Sequence, residues 1–391
     1  MPKKVNRYPG IYQRLGSTTW TADIRWTDDR GDAHQHKKAG FTSQKEAQKY
    51  KNKFLADINQ GRTTGISAPT LEVFLLRDWL PRRAKDVKPT THDTYRVNIT
   101  AYILPYLGHL PLNKLTARVM EDWYQQLLLH GGTGARAKIS RPLTPKSVSN
   151  AAGVLNKALR DAVRWDLIPS NPSSVAIKPS NTTKEMEYWH PHQLRTFIDD
   201  SKIDRLHAVY VLGAITGMRR GELLGLTWDK VDLENGVITI DSTRVVSNGK
   251  VITQRPKSKS SVRKNDIDPE TVEALKKWKV AQGRERLRAG SAWQNTNGYL
   301  VTDEIGCAIH PDKFTRLFKK FIRSLGLPDI RLHDVRHSYV VAARLAGLPM
   351  EIISRRIGHA DVGVTMRIYN HILEYELRDG AMTAAAFIRS S

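Results

Sequence analysis

The hydrophobic pattern changes period near residue 43, and that switch decides the fold class. Upstream of it, Trp20, Ala22, Ile24 and Trp26 alternate with polar residues, the signature of a half-buried strand. Asp28-Asp29-Arg30-Gly31-Asp32 reads as a turn and His34–Phe41 as the returning strand, with Gly10–Leu15 a candidate third strand. Ser43-Gln-Lys-Glu46 has capping-box spacing and opens a helix to about Ile58, with Ala47, Tyr50, Phe54 and Ile58 on one side. Beyond it, apolar residues recur mostly every three or four positions. The expected class is mainly α with small β elements (α+β). It comprises an N-terminal three-stranded sheet plus helix, a helical domain, and a mixed, mostly helical domain with a small antiparallel sheet.

Two stretches rich in Gly, Ser, Thr, Pro and Asn, at 59–70 and 169–187, read as linkers. They divide the chain into 1–65, 66–180 and 181–391. In the middle part Thr70 caps a helix expected to end before Pro81. Thr91–Leu104 forms a second helix, Thr116 caps a third, and Thr144-Pro145 opens a fourth with Val148, Ala152, Leu155, Leu159, Ala162 and Val163 inward. In the last part helices are expected around Arg205–Thr216, from near Arg219, and over Thr271–Ala281, Lys313–Leu325, Asp334–Ala346 and Ile352–Arg356. Gly236–Ile240 and Lys250–Gln254 look like strands around the Ser247-Asn248-Gly249 turn. Pro256–Ile267 reads as a polar, basic turn leading to another strand.

Charge narrows the function. The 391 residues hold 62 Lys and Arg against 39 Asp and Glu, a formal +23. The excess is spread as +7, +8 and +8 over the three parts, as expected if each touches a polyanion such as nucleic acid. A single cysteine, Cys307, permits no intrachain disulfide and no zinc ribbon or finger. The longest apolar stretch, around Ala208–Ile215, is too short for a membrane span, and no secretory h-region follows the early lysines. A cytoplasmic, nucleoid-associated protein is expected.

Five stretches of the last part carry groups suited to a phosphate, and each has a duller reading by itself. In Thr216-Gly-Met-Arg-Arg-Gly-Glu222, Arg219 starts a helix and Glu222 lies one turn on, able to orient its guanidinium or simply to form a surface ion pair. Lys257, in Pro-Lys-Ser-Lys-Ser, can protonate a leaving oxygen or be an ordinary loop lysine, and Lys259 competes for the role. Leu332-His-Asp-Val-Arg336 puts His333 and Arg336 on one helical face. A metal reading of His333, Asp334 and His337 lacks further ligands to complete a coordination shell. His359 follows a glycine in Ile357-Gly-His359. Tyr369 lies in Arg-Ile-Tyr-Asn-His, and its phenol, with an ordinary pKa of about 10, needs a base or cations to become a nucleophile.

Taken in order, Thr-Gly-Met-Arg-Arg-Gly-Glu-Leu, Leu-His-Asp-Val-Arg-His-Ser, Ile-Gly-His-Ala and Ile-Tyr-Asn-His closely resemble the tyrosine recombinase (phage integrase) family. The resemblance is strong over the last half of the chain. Residues 66–180 match the family's helical core-binding (SAM-like) domain more loosely, and residues 1–65 look like its arm-site-binding sheet domain. Departures are a ten-residue step from His359 to Tyr369, where many relatives have nine, and Arg220-Gly221 after the first arginine. The resemblance implies an enzyme that cleaves and rejoins DNA through a 3′-phosphotyrosyl link, integrating and excising a mobile element without metal, ATP or other cofactor. Arg219, Lys257, His333, Arg336, His359 and Tyr369 would be catalytic and Glu222 supporting. Arg14, Arg25, Lys37 and Lys38 are plausible DNA contacts. Expected partners are duplex DNA at core and arm sites, further copies of the chain in a tetramer, an excisionase and a host DNA-bending protein. The apolar tail, with Ile372, Leu373, Leu377, Met382, Phe387 and Ile388, would pack on its own domain or dock on a neighbouring protomer. The alternatives are a type IB topoisomerase-like relaxing enzyme and a DNA-binding regulator without chemistry.

Overall fold

Period-two alternation in the first forty residues builds an antiparallel sheet of β1 (Ile11–Gln13), β2 (Trp20–Thr27) and β3 (Ala33–Phe41), in that order. This is seen in a computed structural model, which describes residues 9–14, 16–27, 33–59, 69–132, 141–180, 187–255, 262–359 and 361–369. For residues 59, 364 and 367–369 it describes the backbone alone. Helix α1 (Gln44–Asn59) packs on the sheet, and Ile11, Ala22, Ile24, Phe41, Ala47 and Phe54 form a small core. Its cap differs slightly from the expected box. Ser43 Oγ accepts from the Glu46 N–H, while the Glu46 carboxylate reaches back to the N–H and hydroxyl of Thr42.

The sheet register sorts the basic residues expected to meet DNA. Asp23 pairs with Lys37 and Arg25 with Gln35, alternating with the core positions Ala22 and Ile24. Arg25 and Lys37 therefore lie on the face opposite that core, each 3.8 Å from Asp23. A bulge between Trp20 and Ala22 brings Lys38 opposite Ala22, and its ammonium sits 4.5 Å from the centre of the Tyr50 ring of α1. Lys38 thus parts from the other two. Arg14 is exposed just after β1.

In the next segment the first expected helix does not stop before Pro81. Helix α2 (Leu71–Val73), a wide π turn at Phe74–Trp79 and helix α3 (Leu80–Asp86) run continuously through the proline. The Leu80 N–H bonds to the Leu75 carbonyl, five residues back. The wide turn takes up the ring and the missing donor that would otherwise break the ladder. The device recurs where α4 (Pro89–Asn98) passes through a π turn at Ile99–Ile103 into α5 (Leu104–Leu107), just before Pro105. Thr116 caps α6 (Ala117–His130) and Thr144 caps α7 (Pro145–Arg164), each accepting from the N–H three residues on. Their apolar faces, with Trp123, Tyr124, Leu127, Leu155 and Leu159, close a core with Phe74, Trp79 and Ile99.

The chain divides into two compact units, 1–182 and 183–391. The second begins with α8 (Pro191–Asp200), α9 (His207–Thr216) and α10 (Arg220–Gly225). Strands β4 (Val231–Asp232), β5 (Val237–Ile240), β6 (Thr243–Ser247), β7 (Lys250–Gln254) and β8 (Arg263–Asp266) follow. The partner of β7 across the Asn248-Gly249 turn is β6, and β5 instead joins the sheet β4-β5-β8. The expected pairing thus mistook the hairpin's first strand. Asn248 and Gly249 both have positive φ, as a two-residue turn matched to strand twist requires. Helices α11 (Pro269–Ala289), α12 (Pro311–Ser324), α13 (Leu332–Leu345), α14 (Met350–Ile357) and α15 (Val362–Tyr369) complete the unit. Phe197, Leu212, Leu224, Ile238, Phe314 and Phe318 are among its buried core.

Candidate active site

Two helix ends set up the site. Helix α9 ends at Gly217, whose φ of 60° is left-handed and whose added Cβ would lie 2.7 Å from Tyr339 Cδ1. Helix α14 ends the same way at Gly358, with φ 69°. The carbonyls released at these two C-terminal ends turn toward cations, where the helix dipole favours positive charge. Arg336, on α13, donates from Nη1 to the Gly217 carbonyl at 2.7 Å and from Nη2 to the Ile357 carbonyl at 2.6 Å. Arg219, the residue before α10, donates from Nη2 to the Gly358 carbonyl at 3.2 Å.

Glu222 supports Arg219 from within the protein. Its carboxylate accepts from Arg219 Nη1 at 2.8 Å and from the Arg219 backbone N–H at 3.0 Å. At 3% exposure it is no surface ion-pair partner. Burial works against its charge, but the Arg263 and Arg219 guanidiniums outweigh burial and hold the carboxyl below its ordinary range. Arg220 and Gly221 also have definite places. Arg220 donates to the Thr315 hydroxyl at 2.8 Å, and a Cβ on Gly221 would lie 2.3 Å from Thr243 Oγ1, so the glycine lets α10 rest on β6.

The imidazoles gather around the same cations. His359, directly after Gly358, is hydrogen-bonded through Nδ1 to the buried Thr365 hydroxyl at 2.8 Å. Thr365 belongs to α15, which packs on α13 and α14, and position 369 lies one helical turn further on. His333 is exposed at the first turn of α13 and its ring meets that of His337 edge to face at 5.0 Å. Asp334 accepts from the backbone and guanidinium of Arg331, and its Oδ1 lies 4.0 Å from His337 Nε2.

Desolvation and crowded positive charge perturb the cluster. Burial first, then the charge of Arg219, push the Arg336 guanidinium down to about 9; it is 1% exposed. Burial, followed by Arg336 and Arg219, lowers His359 to about 3. Burial and His333 lower His337 to about 4, and His333 is lowered by desolvation and Arg336. The imidazoles are therefore neutral at pH 7, and the site carries more positive charge than its own groups balance, a condition that an anion relieves. One consequence is measurable. Unfolded histidines take up protons near an ordinary pKa of about 6.5, whereas His337 and His359 resist in the fold. Stability contributed above that value is lost as the pH falls, so Tm drops between pH 7 and 5, and His359→Asn flattens the slope.

The structure thus brings together Arg219, Glu222, Arg336 and His359, with His333 beside them. Tyr369 ends α15, where only its backbone is described. Lys257 and Lys259, between β7 and β8, and the tail after Tyr369 lie outside the described residues. Sequence reasoning passed over Thr365 and Arg263. A buried threonine has no signal of its own, and Arg263 stood unnoticed in a generally basic turn.

Residues 191–376 match the profile described as the phage integrase family, and residues 73–128 match that of the phage integrase N-terminal SAM-like domain. The ICEBs1 integrase of Bacillus subtilis is 27% identical over 336 residues, covering 85% of this chain and 87% of that protein. A XerC-like tyrosine recombinase of Caldanaerobacter subterraneus is 26% identical, covering 95% and 96%. Among solved structures, the Tn1549 transposon integrase in complex with transposon right end DNA aligns with a TM-score of 0.61 at 23% identity, over 76% of this chain and 95% of that one. A lambda integrase dimer bound to a core site aligns at 0.55 and 15%, over 94% and 96%, so these two share the fold. The topoisomerase and regulator alternatives are not favoured by these matches. With its ordered arginine, histidine and tyrosine motifs, the chain belongs to the phage integrase family of tyrosine recombinases.

Proposed function

We propose that this site-specific DNA recombinase cuts DNA with Tyr369 as nucleophile, inside the cation cluster of Arg219 and Arg336. The phenol oxygen attacks the scissile phosphorus. A phosphotyrosyl bond forms on the 3′ side as the bond to the 5′ oxygen breaks. Lys257 gives the departing oxygen its proton, and the phenol's proton passes to the exposed His333 imidazole, where the negative charge of the bound phosphate offsets the arginines that oppose protonation. The two guanidiniums hold the non-bridging oxygens and neutralise the charge that builds in the transition state. His333 and His359, neutral and pre-oriented, hydrogen-bond to the phosphate. A 5′-hydroxyl of the partner strand then attacks the link and reverses the step. The covalent bond conserves the phosphodiester energy, so strand exchange needs no ATP, and the fixed cations do what a metal ion does in other nucleases.

The observation that carries this reading is the convergence of Arg219, Arg336 and His359 on the C-terminal ends of α9 and α14, with α15 tied there through Thr365. Its test is incubation with a nicked candidate attachment site in EDTA. The nick lets the cut fragment diffuse away and trap the adduct. The expected result is a protein–DNA adduct whose linked residue maps to Tyr369. A strict need for divalent metal, or linkage elsewhere, would overturn it.

Residues 1–65 are proposed as an arm-site module whose sheet enters the major groove, and residues 66–180 and 181–391 each as a contributor of backbone contacts to the core site. Opposite-face placement favours Arg25 and Lys37 over Lys38 as groove contacts. A lambda integrase tetramer bound to a Holliday junction is among the solved structures that share the fold, which supports a tetramer here; an excisionase and a host DNA-bending protein are proposed as further partners. Among the described residues no helix is long and apolar enough to cross a membrane. Deleting residues 1–65 is expected to spare cleavage of a core site and to lower integration between two sites. Equal loss in the two assays would refute the division of labour.

A further inference from the structure

Glu222 is shared. Arg263, on β8 and with a side chain 6% exposed, donates from Nη2 to Glu222 Oε2 at 2.9 Å and from Nη1 to Oε1 at 3.4 Å. Its Nε donates to the Arg356 carbonyl at 2.6 Å, where Asn265 Nδ2 also donates at 2.9 Å. Two residues later the Gly358 carbonyl receives Arg219. A closed circuit results: Arg219 to Glu222, Glu222 to Arg263, Arg263 to the last turn of α14, and that turn back to Arg219. The Arg356 side chain reinforces it from outside through the Tyr339 hydroxyl and the Asp266 carbonyl, each at 2.9 Å.

We propose that Arg263 is a positioning residue for DNA cleavage, acting on the scissile phosphate through Glu222 and Arg219. This rests on the reading of Arg219 as a phosphate-binding group. Arg263 is enclosed and spends its donors on protein acceptors, so it does not itself grip DNA. Its action has two parts. The fork fixes both carboxylate oxygens, which sets the plane in which Arg219 is held. Its charge matters as much. One carboxylate facing one arginine is a neutral pair, whereas one carboxylate between two arginines leaves a net positive charge for the phosphate. The same contacts join β8, which follows the segment bearing Lys257, to the turn that carries His359.

The test uses the full chain and a saturating nicked substrate, scored as the single-turnover rate of covalent adduct formation. Each variant is compared on an ordinary scissile phosphate and on a neutral methylphosphonate at the same position. Arg263→Met is expected to slow cleavage of the phosphate about ten- to a hundredfold with unchanged DNA half-saturation. The loss should shrink on the methylphosphonate, where there is no ionic charge to neutralise. Arg263→Lys, which keeps the charge and loses the fork, should fall between Arg263→Met and the native protein, and it serves alone if Arg263→Met fails to fold. Arg219→Ala is the reference. If it cleaves normally, the reading of the site fails and this inference with it. If Arg219→Ala is impaired while both Arg263 variants cleave as the native protein does, or lose equally on both substrates, Arg263 is a structural residue and the inference alone is overturned.

Discussion

Tyr369→Phe is expected to abolish the covalent adduct and to leave DNA binding unchanged. The substitution removes one oxygen, the only atom in the proposed mechanism able to bond to phosphorus, so the expected loss is about 10⁴-fold or more. Binding is drawn from Lys and Arg contacts to backbone phosphates across a chain of net charge +23, and one phenol contributes little to it. The measurement pairs a gel shift under native conditions with detection of a denaturant-resistant protein–DNA species. A variant that still forms the species would move the nucleophile elsewhere.

Arg219→Ala is expected to lower cleavage about 10²- to 10³-fold, the loss typical of removing one preorganised transition-state donor. Stability should hardly change. Arg219 is 34% exposed, and Glu222 keeps Arg263, so no buried carboxylate is left unpaired. Arg336→Ala makes the contrast. It removes a buried guanidinium and leaves the Gly217 and Ile357 carbonyls without their donor, so cleavage and Tm fall together. Single-turnover rates set beside thermal melts separate the two cases. Cleavage by Arg219→Ala within about threefold of native would remove Arg219 from the transition state.

The sequence was most informative where one local rule acted alone. Alternation placed β2 and β3, Thr116 and Thr144 marked helix starts, and the spacing of Arg219 to Glu222 foretold an i,i+3 pair. It misled where two rules competed. Pro81 looked like a stop because a proline breaks an α-helical ladder, yet a π turn just before it carries the helix through. The segments 237–240, 243–247 and 250–254 are all strand-like, and only the register, which pairs 243–247 with 250–254, identifies which two share the hairpin. At the site, the motifs named the groups but not their bonds. That Arg336 would rest on two main-chain carbonyls, or that Glu222 would serve two arginines, depends on chain ends brought together from α9, β8 and α14, and no spacing rule reaches that far.

Those main-chain carbonyls have a thermodynamic consequence. An arginine free in solvent carries about 2 kcal/mol of rotamer entropy, which a ligand must normally suppress as it binds. Here the oxygens of Gly217, Ile357 and Gly358 have frozen both side chains during folding. On the proposed mechanism, a phosphate that arrives meets donors already immobile, and discrimination can go into the shape of the reacting centre instead of into stilling the side chains.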